Sequence, residues 1–135
     1  MKRYLNHIPI RTLMLLVWGA LALSLTMLPK SVPLVGRLSR SLGSTPIGAA
    51  LGHAGLFGGL LVMLYLALRL RLSHAFALLL ALGVVLFIST GTELFQAPLA
   101  DRDASLVDML ANWLGVFAAG FCVSYIGNWL EKPSQ

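Results

Sequence analysis

Residues 75–98 read AFALLLALGVVLFISTGTELFQAP, and no charge appears in this stretch before Glu93. A helix needs about 20 apolar residues to cross a hydrocarbon core about 30 Å thick, and this segment supplies them. Three other runs, 12–29, 47–68 and 106–130, are written the same way. Across the 135 residues, 58% are hydrophobic and 11% are charged, outside the range of a soluble globular domain and within that of a polytopic membrane protein. The expectation is an all-α integral membrane protein, one domain over residues 1–135, with four transmembrane helices. The connections at 69–74 and 99–105 are short, which forces consecutive helices to pack as antiparallel neighbours in a bundle.

The first run has a second reading. Met1-Lys2-Arg3 is a basic start, residues 13–28 could be the apolar core of a signal peptide, and Ala20-Leu21-Ala22 resembles a cleavage site. The apolar run continues past that site to Leu28, so it reads as a retained helix. Between the first two runs lies a basic linker, 29–46, in which Val35, Leu38 and Leu42 recur at helical spacing while Arg37 and Arg40 point elsewhere. That pattern fits a short helix lying in the headgroup plane, and a polar loop is the alternative.

The formal charge of +5 does not point to nucleic acid. Lys2, Arg3, Arg11, Lys30, Arg37, Arg40, Arg69 and Arg71 flank the apolar runs, where basic residues set topology and meet lipid headgroups. Six Lys and Arg fall on the side of the termini and the second loop (Lys2, Arg3, Arg11, Arg69, Arg71, Lys132), against four in the first and third loops (Lys30, Arg37, Arg40, Arg102). Both termini are therefore expected in the cytoplasm. The single cysteine, Cys122, excludes an intrachain disulfide and a cysteine metal site.

Polar residues gather where lipid-facing helices should not carry them. Glu93 and Gln96 close the third run, Arg102 and Ser105 follow in the loop, and Asp108 and Asn112 open the fourth. His53 lies early in the second. An ionised carboxylate at bilayer depth costs about 2.5–3.5 kcal/mol on insertion scales, so such groups pair with something and often mark function. In an alternating bundle the start of the second span, the end of the third and the start of the fourth share one membrane face. At about 1.5 Å per residue, His53 and Asn112 lie about 9 Å, and Glu93 about 7–8 Å, from their helix ends. Their depths match, so one polar cluster is expected, with Arg102 folding back on Glu93 or Asp108. Ser105 is placed to cap the last helix. Glycine steps at Gly48/Gly52 and Gly55/Gly59, and the step Ala111, Gly115, Ala119, offer faces for close helix approach.

The pattern Glu93-x2-Gln96-x5-Arg102-x2-Ser105-x2-Asp108-x3-Asn112-x2-Gly115-x4-Gly120, with His53 and Phe57 upstream, resembles that of VanZ-like membrane proteins. The resemblance covers roughly residues 47–120. It departs where family members often carry Asp-Lys before the histidine, since Ala49 and Ala50 stand there. It implies a multi-pass protein of the bacterial plasma membrane. The name-giving relative is associated with low-level teicoplanin resistance, and the family has no settled biochemical activity.

Three roles fit His53, Glu93, Gln96, Arg102, Ser105, Asp108 and Asn112. They could form an ionic staple between helices, a pocket for a lipid or lipid-linked headgroup in the outer leaflet, or the acid and base of a small membrane enzyme. No recognisable nucleophile or phosphate-loop motif is present, which favours a non-enzymatic reading. His53, Glu93 and Asp108 lack metal-ligand spacing, so neither metal nor cofactor is expected, and a homo-oligomer stays open. Reporter fusions test the topology. A reporter after Gln135 should be active only in the cytoplasm and one within 99–105 only outside, and a reversed pattern overturns the orientation.

Overall fold

The computed structural model describes residues 8–28, 31–42, 45–96 and 105–130. They form five helices: α1 (Ile8–Met27), α2 (Pro33–Leu42), α3 (Pro46–Leu68), α4 (His74–Gln96) and α5 (Leu106–Leu130). No strand occurs among the described residues. Four of the helices, all but α2, are long and apolar enough to cross a membrane. They pack against one another as an antiparallel bundle, in which α3 makes its most extensive contact with α5 and then with α1 and α4.

Local chemistry accounts for the helix ends. Thr45 precedes α3 with extended backbone and its hydroxyl accepts the Gly48 N–H at 3.0 Å, while Pro46 occupies a first-turn position where no N–H is needed. α3 closes in a tight turn, with the Arg69 N–H on the Tyr65 carbonyl at 2.8 Å and its guanidinium on the Leu72 carbonyl at 3.1 Å. Five residues, 69–73, separate α3 from the start of α4. α1 starts four residues before the sequence reading placed it, so Arg11 is part of the helix. Its guanidinium donates to the Leu66 carbonyl at 3.1 Å. That carbonyl belongs to the last turn of α3, where no intrahelical partner exists. The linker does form a helix: α2 buries Val35 and exposes Arg37 and Arg40, while the side chains of Leu38 and Leu42 lie outside the described residues.

The interior is narrow. Phe57, Leu60, Leu61 and Tyr65 of α3 meet Ala77, Ala81 and Val85 of α4 and Val116 of α5. The outer surface carries the large apolar side chains, among them Leu79, Phe87, Phe95, Leu114 and Phe121. In water that arrangement would be unfavourable, but in lipid it removes the hydrophobic drive for association and leaves packing and hydrogen bonds to hold the helices.

Close approach is concentrated where α3 crosses α5. A Cβ built on Gly115 would collide with the main chain of Ala54, and one on Gly58 would lie 2.8 Å from the Gly115 carbonyl oxygen. The α5 step Gly115/Ala119 therefore serves as expected, but its partner on α3 is Ala54/Gly58. Gly52 and Gly55, expected at the interface, face open space. The faces of a helix rotate by about 100° per residue, so a glycine spacing does not reveal which face carries the contact. Gly59 serves a different neighbour: the Trp18 indole of α1 lies across it and donates to the Leu56 carbonyl at 2.9 Å.

Gly115→Ala should force α3 and α5 apart and cost about 1–3 kcal/mol as an overpacking substitution. Gly55→Ala, in open space on a helix, should be neutral or stabilising by up to about 1 kcal/mol. Denaturant titration of the purified protein in detergent reads both, and equal behaviour of the two variants would refute the α3–α5 contact.

Candidate functional site

One face of α4 buries Ala77, Ala81, Val85, Ser89, Thr92, Glu93 and Gln96. Its first half is apolar and its second half is polar, so the stripe that drives packing at one end of the bundle carries polar groups inside at the other. Ser89 and Thr92 satisfy themselves locally, donating to the Leu86 carbonyl at 3.1 Å and the Ser89 carbonyl at 2.8 Å. Glu93 and Gln96 have to reach other helices.

Glu93 reaches α5. The side-chain amide of Asn112 donates to Glu93 Oε1 at 3.3 Å, and Asn112 Oδ1 lies 3.1 Å from His53 Nδ1 on α3. A carboxamide oxygen only accepts, so Nδ1 of His53 carries the proton and donates. His53 Nδ1 is also 3.7 Å from Glu93 Oε1, and its Nε2 faces Asp108 Oδ2 at 3.9 Å. Asn112 is fully buried and sits between a histidine and a carboxylate, tying α3, α4 and α5 together. The α3–α5 crossing at Ala54 and Gly115 brings these side chains into reach, one turn or less away on each helix.

Ser105 completes the α5 end. Its hydroxyl accepts the Asp108 N–H at 3.3 Å, the expected cap, and its own main-chain N–H donates to the Glu93 carboxylate. Glu93 Oε2 is buried and has no hydrogen-bond partner among the described residues. Burial is graded: the Glu93 side chain is 4% exposed, His53 18% and Asp108 28%. The cluster thus opens toward the end of the bundle at Asp108 and is closed beneath by Glu93.

Four of the sequence candidates, His53, Glu93, Asp108 and Asn112, therefore converge, and Ser105 joins them through its backbone. Gln96 does not. Its amide turns to α1 and donates to the Thr26 carbonyl at 2.8 Å. The three-residue spacing from Glu93 leaves the two side chains far enough apart around α4 to face different helices. Arg102 lies outside the described residues. No group of three His, Cys, Asp or Glu among the described residues is arranged to hold a metal ion. At the opposite end, a polar contact absent from the sequence reading joins Tyr65 Oη to His74 Nδ1 at 2.8 Å, with the His74 ring against Gly127.

Searches against protein-family models, curated proteins and solved structures find no match for the chain.

Asn112 is predicted to matter more than Gln96. Asn112→Ala strands both His53 Nδ1–H and Glu93 Oε1, at about 1–3 kcal/mol for each buried group left without a partner. Gln96→Leu removes one interhelical hydrogen bond, worth about 0.6–2 kcal/mol in a membrane. Unfolding in a denaturing detergent compares them, and a larger loss at Gln96 would contradict the bridging role of Asn112.

Proposed function

We propose that this is a bacterial cell-envelope protein of VanZ-like type whose polar cluster binds the headgroup of a lipid or lipid-linked molecule in the outer leaflet. The observation that carries the reading is the graded cluster itself: a closed carboxylate at Glu93 leading to a part-exposed His53 and Asp108 at the end of the bundle. A staple serving only stability gains nothing from exposure, because ion pairs that face solvent contribute about 0–1 kcal/mol. The excess of Lys and Arg on the side of the termini supports an orientation with both termini in the cytoplasm and the cluster facing outward. Arg102 would hold an anionic phosphate by two charge-assisted bonds, with His53, Glu93, Asp108 and Asn112 shaping the site. Gln96 would support it at one remove by fixing α4 against α1. Ser105, the one hydroxyl residue between Glu93 and Asn112 in sequence, is engaged as a helix cap, which fits a binder better than a hydrolase. Modulation of the response to glycopeptide-like antibiotics is the physiological role that the resemblance adds.

Purification in native lipid, with mass spectrometry of what is retained, tests this. Arg102→Ala and Asp108→Asn should keep near-normal abundance of folded protein while retained polar lipid falls by about tenfold, the loss of one charged hydrogen bond of about 1.4 kcal/mol. Retention that tracks the amount of folded protein in every variant would overturn the binding role and leave the staple.

A further inference from the structure

The opposite end of the bundle gathers positive charge that its own residues cannot cancel. Arg11, in the first turns of α1, donates to the Leu66 carbonyl at 3.1 Å, and Arg69, just past α3, donates to the Leu72 carbonyl at 3.1 Å. Leu66 and Arg69 are three apart and neighbours on one side of the helix, so both guanidiniums are anchored on the last turn of α3 and its exit. Arg71, in the same turn, is exposed. Each anchor is a carbonyl oxygen, which accepts one of the five N–H groups of a guanidinium and leaves the charge in place. Sequence sets the balance at this end: Lys2, Arg3, Arg11, Arg69, Arg71 and Lys132 stand against Glu131. The other four acidic residues, Glu93, Asp101, Asp103 and Asp108, belong to the end of α4, the start of α5 and the connection between them, a helix length of about 30 Å away. One carboxylate does not neutralise six cations.

We propose that this end binds an anionic phospholipid, its phosphate held by Arg11 and Arg69 with Arg71 on the open side. A guanidinium presents its donors as a planar fork that matches phosphate oxygens, and one N–H fixed on a carbonyl orients the rest of the fork. The surplus of cations selects a headgroup with net negative charge, because the ammonium of a zwitterionic lipid is repelled where its phosphate is attracted. The apolar part of a lipid fits as well. Met14 follows Arg11 by three residues and Leu21 lies seven further on, both exposed on one flank of α1, so an acyl chain attached to the phosphate runs along them. An acidic protein segment would find the charge but not that flank. α1 is also the helix such a ligand would secure. Its buried side chains among the described residues, Ala22 and Thr26, fall in its second half, while its first half is held by Leu15, Trp18 and the Arg11 bond. A phosphate shared by Arg11 and Arg69 ties α1 to the α3–α4 turn from the membrane surface.

The test uses the full-length protein in mixed micelles containing equal amounts of phosphatidylglycerol, phosphatidylethanolamine and phosphatidylcholine, with retained lipid read by native mass spectrometry. Phosphatidylglycerol should be retained over both others by about tenfold, a ratio that needs no variant to fold. Arg71→Gln, at an exposed position, should lower that preference by about threefold, and Arg11→Gln combined with Arg69→Gln should bring it close to one. Arg40→Gln removes the same charge from the exposed face of α2 and should leave the preference unchanged. An equal loss with Arg40→Gln would assign the preference to diffuse surface charge and overturn the site, as would a wild-type protein that retains the three lipids alike. Soluble glycerol phosphate, which has no acyl chain, should not displace the lipid at matched concentration, and displacement would overturn the lipid as occupant. The Arg11 and Arg69 losses should persist in an Arg102→Ala background, which separates this end from the headgroup site proposed at the cluster. Their disappearance there would place the bound lipid at the cluster and overturn the site at Arg11 and Arg69.

Discussion

A carboxylate held inside a bundle of lipid-facing helices has no bulk water to hydrogen-bond, and Glu93 is 97% buried by residue. Its partners must come from the protein, and they come from two other helices: the Asn112 amide and the Ser105 backbone on the α5 side, with His53 of α3 alongside. This requirement explains much of the architecture at that end. It needs α3 and α5 in near contact, which Gly115 and Ala54 permit by bringing main chain against main chain. It also fixes the rotation of α4, because Glu93 can face α5 only when Ala77, Ala81 and Val85 face the core. Apolar packing and polar pairing therefore select one and the same arrangement.

A second device recurs where helices end. The last carbonyls of a helix have no intrahelical donor, and side chains of neighbouring helices take them. Arg11 of α1 donates to Leu66 near the end of α3, and Gln96 of α4 donates to Thr26 near the end of α1. Thr26 itself donates back to the Ala22 carbonyl at 2.8 Å, so its hydroxyl is satisfied within α1. These bonds link α1 to the rest of the bundle where its outer surface offers only lipid contact, and they leave α3, α4 and α5 to build the cluster.

Much of this was legible in the residues. The uncharged runs place the four long helices to within about four residues, because the length needed to cross a hydrocarbon core leaves little freedom. Matching depths from helix ends were enough to bring His53, Glu93, Asp108 and Asn112 together, and Ser105 announced its cap by residue type. The rest depended on rotation about the helix axes, on which spacing is silent: Gly52 and Gly55 point outward while Ala54 and Gly58 meet α5. The partners of Gln96, Arg11 and Trp18 are main-chain carbonyls, which every residue owns and no motif marks. Tyr65 and His74, nine residues apart across the α3–α4 turn, could have been paired by placing both at the same end of adjacent antiparallel helices.

The central claim is that Asn112 couples the buried Glu93 to the other helices as one network, and a double-mutant cycle between Glu93→Gln and Asn112→Ala measures it most directly. Unfolding free energies of the two single variants and the double variant, in one detergent and at one pH, give the coupling. Residues sharing one network should show an interaction of about 0.5–3 kcal/mol, so that the double variant is less destabilised than the two single losses added together. Strict additivity, with a coupling indistinguishable from zero, would contradict the network.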